Sequence, residues 1–134
     1  MTIQLDHVIV PSHNRVEGAQ LLADLLDVPW AKSQGSFTPV YVNESLTLDF
    51  ADRDRFEGHH FCFRVSEEAF EAILGRIQAR QIPYRGHPRG ENDMKINPRL
   101  GGKNLYWDDA DSHLWEILTV SYARPDSPSL VAAR

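Results

Sequence analysis

One order of elements occurs twice in this chain, and it constrains the fold more than any single residue does. A strand holding a histidine (His7, then His60) leads into an amphipathic helix, a Pro-aromatic pair (Pro29-Trp30, then Pro83-Tyr84) and further strands, the last carrying an acid (Asp49, then Glu116). With His7 aligned on His60, Leu48-Asp49-Phe50 falls on Trp115-Glu116-Ile117. Identity between the halves is negligible, so the repeat is one of pattern, β-α-β-β-β twice. Two such modules related by a pseudo-twofold would bring their first and last strands together, with both histidines and both acids near one cavity.

The individual elements follow from periodicity. Ile3 to Val10 is apolar and β-branched and stops at Pro11-Ser12, which predicts a strand buried on both faces with His7 in its middle. Asn14 followed by Glu17 is a capping-box-like start for a helix whose stripe is Ala19, Leu22 and Leu26. Phe37 to Val42 and Leu46 to Phe50 read as strands, Leu46, Leu48 and Phe50 facing one way and Thr47 and Asp49 the other. In the second half, His59 to Val65 turns Phe61 and Phe63 toward the core and His60, Cys62 and Arg64 the opposite way. Ser66 caps a helix to about Arg80, Ile82 to Tyr84 is a short strand, and the polar stretch from Arg85 to Gly102 is a lid or a disordered loop. Lys103 to Thr119 is a hairpin with an acidic turn, which lacks the glycine and terminal glutamate of a calcium loop. Residues 125–134 form a loose tail.

Glu116 is the residue that demands a partner. It shares a strand face with Leu114 and Leu118, and a carboxylate between two apolar neighbours is costly unless it is paired or metal-bound. The net charge of -5 gives no basic surface for nucleic acid or an anionic membrane, which leaves a small molecule as the partner. A single cysteine, Cys62, excludes an internal disulfide framework and fits a reducing compartment. The first residues show neither a basic start nor a long apolar run, so the expected location is cytoplasmic.

Three stretches together resemble the vicinal oxygen chelate superfamily, the group of glyoxalase I, bleomycin resistance proteins, fosfomycin-thiol transferases and extradiol dioxygenases. They are Leu5-Asp6-His7-Val8-Ile9-Val10, His60-Phe61-Cys62-Phe63-Arg64-Val65 before a helix, and Asn104 to Asp108 leading to His113-Leu114-Trp115-Glu116-Ile117-Leu118. The match covers about residues 3 to 120. Members commonly have Asp-Pro-Asp-Gly-His in the last turn, where this chain has Asp109-Ala110-Asp111-Ser112-His113. The resemblance implies an α+β fold of two βαβββ modules, about residues 3–51 and 58–120, forming a curved mixed sheet around a cavity in one domain over residues 1–124.

It also implies a divalent metal, Zn, Ni, Mn or Fe, held by His7, His60 and Glu116, where it would polarise adjacent substrate oxygens. Asp49 matches the position where relatives supply a further ligand or base, and Tyr106 one where a tyrosine reaches the substrate. Arg64 and Arg124 are candidates for holding an anionic substrate group. His59, His87 and His113 read as non-ligands. Two-module members usually pair, so a homodimer with sites shared between subunits is expected.

Three functions then compete. The first is a metal-dependent lyase, isomerase or thiol transferase acting on a small oxygen-rich substrate. The second is an iron-dependent ring-cleaving dioxygenase, whose relatives are about twice this length. The third is a metal-free binding protein of the bleomycin-resistance kind. Ile9 stands where fosfomycin transferases have threonine, and Asp49 where glyoxalase I has glutamate, so no substrate is named.

Overall fold

In the computed structural model, which describes residues 2–125 and 127–132, the elements are β1 (His7–Ser12), α1 (Arg15–Leu26), β2 (Phe37–Tyr41), β3 (Thr47–Asp52), β4 (His60–Arg64), α2 (Glu67–Ala79), a 3-10 turn (Arg99–Gly101), β5 (Asn104–Asp108) and β6 (Leu114–Leu118). They form two three-stranded mixed sheets, ordered β1-β3-β2 and β4-β6-β5. In each, the histidine strand runs parallel to the acid strand, which pairs antiparallel with the third. The repeat holds in register as well. His7 lies opposite Thr47 with Asp49 two residues on, and His60 opposite Leu114 with Glu116 two residues on.

The remaining strand of each module is reduced to an isolated bridge, Trp30 with Val40 and Arg85 with Tyr106. The short strand predicted at Ile82 to Tyr84 does not form, and Pro83 at its centre has no N–H to give a ladder. The first strand also differs from its prediction. It begins at His7, runs through Pro11 to Ser12, and leaves Ile3 and Leu5 exposed. Its partner β3 starts at Thr47, so nothing pairs with residues 3–5, and on an edge strand Pro11 is tolerated. This strand is therefore not buried on both faces, and Ile9 is 44% exposed.

Both helices start on side-chain caps. The Asn14 side chain accepts from the Glu17 N–H at 3.2 Å and Ser66 from the Ala69 N–H at 3.1 Å. Asp27, at φ 57°, ends α1 in the left-handed region. The helices cover one face of each sheet, and the two modules share a single core in which Leu22, Leu25, Leu48 and Phe50 meet Phe70, Ile77, Trp107 and Trp115. Trp115 stacks on Phe61 at 4.6 Å and faces Phe50 of the other module at 6.4 Å. Alternation then sends the His7 face and the His60 face of the two sheets away from this core.

The acidic turn is a junction between modules. Asp111 accepts from the Ser12 hydroxyl at 2.6 Å and from the His13 N–H at 2.9 Å. Buried His113 donates from Nε2 to the Pro11 carbonyl at 2.6 Å, while its Nδ1 accepts from the His59 N–H at 2.9 Å. Ser112 occupies the left-handed region at φ 61°, which favours glycine.

Residues 85–102 are held by a buried arginine together with backbone bonds from Met94 to Tyr84 and from Asn97 to Asn104. The Arg85 guanidinium reaches Asp108 at 2.7 Å, the Asn92 side chain at 2.9 Å and the Pro88 carbonyl at 2.8 Å. The alternatives of lid or disorder give way to a strapped loop, because both terminal nitrogens of the buried guanidinium are filled by Asp108 and by loop acceptors, while its Nε is left without a partner. The tail expected at 125–134 lies partly outside the described residues, and its described part forms no helix or strand. Among the described residues no helix is long and apolar enough to cross a membrane.

Candidate metal centre

The β4–β6 pairing sets Cys62 directly opposite Glu116, and β5 sets Tyr106 opposite it on the other side. His60, Cys62, Glu116, Asn104 and Tyr106 therefore share one sheet face. Glu116 has no solvent exposure, and its carboxylate is instead surrounded by donors. His60 Nε2 lies 2.8 Å from Oε1, Asn104 Nδ2 donates to Oε2 at 2.6 Å, and the Tyr122 hydroxyl lies 2.7 and 2.9 Å from the two oxygens. A carboxylate offers about four lone-pair positions, so this environment meets its desolvation cost with hydrogen bonds.

The surrounding groups respond to that charge. The Tyr106 hydroxyl lies against that of Tyr122; burial first, and then the Glu116 charge, raise the Tyr106 phenol above its ordinary value. Tyr122 is raised further, by burial and then by its hydrogen bond to Glu116. Packing around its sulfur, with the Glu116 charge second, pushes the Cys62 thiol up to about 12. Cys62, though exposed, is thus held in its neutral thiol form at neutral pH.

Of the residues singled out in the sequence, the structure brings together His60, Glu116 and Tyr106, the last with its ring 6.0 Å from His60. His7 is elsewhere. It opens β1 on the other sheet, exposed and hydrogen-bonded to Asp6 at 2.8 Å, and that bond first, with Asp49 a weaker contributor, raises its pKa. Asp49 sits on the same sheet face, paired in register with Ile9. Among the described residues no three histidine, cysteine or acidic side chains form a metal-binding group. Arg64 lies four residues along β4 from His60 and lines a different hollow, with Leu26, Val42 and Ile73. Arg124 lines a cavity whose wall includes Tyr122.

The donor chemistry fits a divalent metal in part. An imidazole nitrogen and a fully buried carboxylate converge within 2.8 Å, and Asn104 keeps a buried Oδ1 without a partner beside them. That is two ligands of an expected three. Sequence reasoning missed Asn104, although it alternates with Tyr106 on β5. It also missed Tyr122, which lies past the end of β6, where alternation no longer indicates a face.

Two repeated modules, each with a histidine strand parallel to an acid strand, make the fold of the vicinal oxygen chelate proteins, and the chain belongs to the family of the oxidases ChaP-H1 and ChaP-H2. Its structure superposes on that of the oxidase ChaP-H2 with a TM-score of 0.84 and 37% identity, over 91% of this chain and 97% of that one. The fold is shared with the fosfomycin resistance protein FosX from Listeria monocytogenes, in the form of a point mutant complexed with Mn(II) and 1S,2S-dihydroxypropylphosphonic acid. That match has a TM-score of 0.68 and 19% identity over 91% and 94% of the two chains. A glyoxalase/dioxygenase from Nostoc punctiforme matches with a TM-score of 0.63 and 12% identity over 86% and 89%. No family model and no curated protein matches the sequence.

Proposed function

We propose that this chain is a metal-dependent enzyme that binds a small oxygen-rich substrate through adjacent oxygens and oxidises it, with dioxygen as the electron acceptor. The observation that carries the reading is the buried Glu116 carboxylate facing His60 Nε2 at 2.8 Å, a charge that the apolar sheet does not otherwise require. His60 and Glu116 would hold the metal, with His7 supplied by the partner in a homodimer, since His7 is exposed on an edge strand and free to enter a site not its own. A bound metal supplies Lewis acidity toward the substrate's adjacent oxygens and, if it is Fe or Mn, a redox centre. Asn104 and Tyr122 would orient the carboxylate through its oxygens, as outer partners do for ligating carboxylates. Tyr106, on the His60 face, would hydrogen-bond a bound substrate, and Asp49, beside His7, would act as an auxiliary base.

Oxidation is preferred to the lyase, isomerase and thiol-transferase chemistries because the 37% identical ChaP-H2 is an oxidase. Ring cleavage by iron is a second reading, favoured by the same pairing of imidazole and carboxylate. Metal analysis of untagged protein, alongside H60A, E116A and H7A, tests both against non-redox chemistry. Fe or Mn that is lost in all three variants supports oxidation. Zn or Ni supports non-redox chemistry, and metal content unchanged by the substitutions would leave a metal-free binding protein.

A further inference from the structure

We propose that the cavity beyond Tyr122 binds an organic anion with an apolar body, and that Arg99 and Arg124 select it. This names the substrate class for the reading above and rests on it only in making Glu116 the reacting end. The cavity measures about 520 Å³ and is lined by Arg99, Leu100, Val120, Tyr122, Arg124 and Pro125 together with Ser121. That volume is in the range of small-molecule sites. Tyr122 is its shared wall: the ring lines the cavity while the hydroxyl holds both oxygens of Glu116. A ligand in the cavity is therefore one side chain from the carboxylate.

Charge gives the sign of the ligand. Among the described residues, both ionisable groups of fixed charge in the lining are arginines, no carboxylate lines it, and neither arginine forms an ion pair. Arg99 lies over the Tyr122 ring at 4.1 Å, which holds the guanidinium in place with its N–H edge available for a carboxylate or phenolate. Shape gives the rest. Leu100 is 64% exposed and Val120 38%, and both line the cavity. An inorganic anion would leave these side chains wet, and a neutral apolar molecule would leave two cations unanswered.

The test is calorimetric titration of the protein as purified with 2-naphthoate, the neutral isostere 2-acetonaphthone, and acetate. The expected order is naphthoate far ahead of both, with R99Q and R124Q each weakening naphthoate by about tenfold, the size of one charge-assisted hydrogen bond. L100S should weaken it less, and melting curves establish that each variant is folded. Equal binding of the neutral isostere, no binding of naphthoate at millimolar concentration, or unchanged affinity in both arginine variants would overturn the proposal. The H60A variant separates this from the metal reading: it is expected to lose metal while keeping naphthoate affinity within about threefold. Unchanged metal in H60A with arginine-dependent naphthoate binding would overturn the metal reading alone.

Discussion

The hydroxyl of Tyr122 lies within hydrogen-bond distance of both oxygens of Glu116, at 2.7 and 2.9 Å, so one phenol restrains a carboxylate that has no access to water. Removing that hydroxyl leaves a buried charge short of a donor. Tyr122→Phe is therefore expected to lower stability by about 1–3 kcal/mol, the range for an unsatisfied buried polar group. The same change in a Glu116→Gln background should cost less, because a neutral amide gains less from the donor. A double-mutant cycle by denaturant unfolding measures the coupling; strictly additive effects would mean that the hydroxyl does not stabilise the charge.

His7 and Glu116 are on different sheets of one chain, and a shared site predicts complementation between chains. Neither H7A nor E116A alone should bind metal tightly. When the two are unfolded together and refolded as a mixture, half of the dimers are mixed, each with one intact site and one doubly defective. Metal content should then recover to about a quarter of the wild-type value under random twofold pairing. Recovery of nothing, with both variants folded, would place His7 outside the site.

Cys62 tests the electrostatics around Glu116 without any metal. Its pKa rises from the ordinary 9.0 to about 12, by packing and then by the Glu116 charge. A group with a raised folded pKa gives stability that is complete below the unfolded value and lost as pH climbs through the folded one. The window of loss for Cys62 is thus between about pH 9 and 12. At pH 9 the folded thiol should alkylate with iodoacetamide more slowly than the urea-unfolded thiol by a factor on the order of several hundred. Glu116→Gln should speed the native reaction, and a rate equal to that of the unfolded chain would rule out the pKa shift.

The pairing of His60 with Glu116 was legible because two rules act on the same residues. Period-two alternation puts each residue on a face, and the repeat identifies the strands that pair. Those rules stop at strand ends. Tyr122 comes four residues after Leu118, where the chain has left the sheet, and only the fold returns it to Glu116. Alternation also fixes a face within one sheet but says nothing about how two sheets are turned, so the separation of His7 from His60 was beyond it. In the loop before β5, composition suggested mobility. The buried Arg85 side chain, with backbone bonds from Met94 and Asn97, holds it instead, and no periodicity marks a residue that acts through separate hydrogen bonds to three partners.

The turn that joins the modules can be tested by two opposite substitutions. Ser112 holds φ 61°, a conformation costing a non-glycine residue about 1–2 kcal/mol, and its side chain is exposed. Ser112→Gly removes this strain but raises the entropy of the unfolded chain, so a net gain of about 0.5–1 kcal/mol is expected. Gly58 packs against the same residue from outside: a Cβ there would come within 2.1 Å of the Ser112 carbonyl oxygen, with backbone on both sides of the contact. Gly58→Ala must shift the turn, and with it the Asp111 and His113 hydrogen bonds to Ser12 and Pro11. Its cost should exceed about 2 kcal/mol, as for other strongly disruptive single changes. Thermal melts of both variants decide the matter, and a neutral Gly58→Ala would show that the turn yields freely and is not what fastens the two modules together.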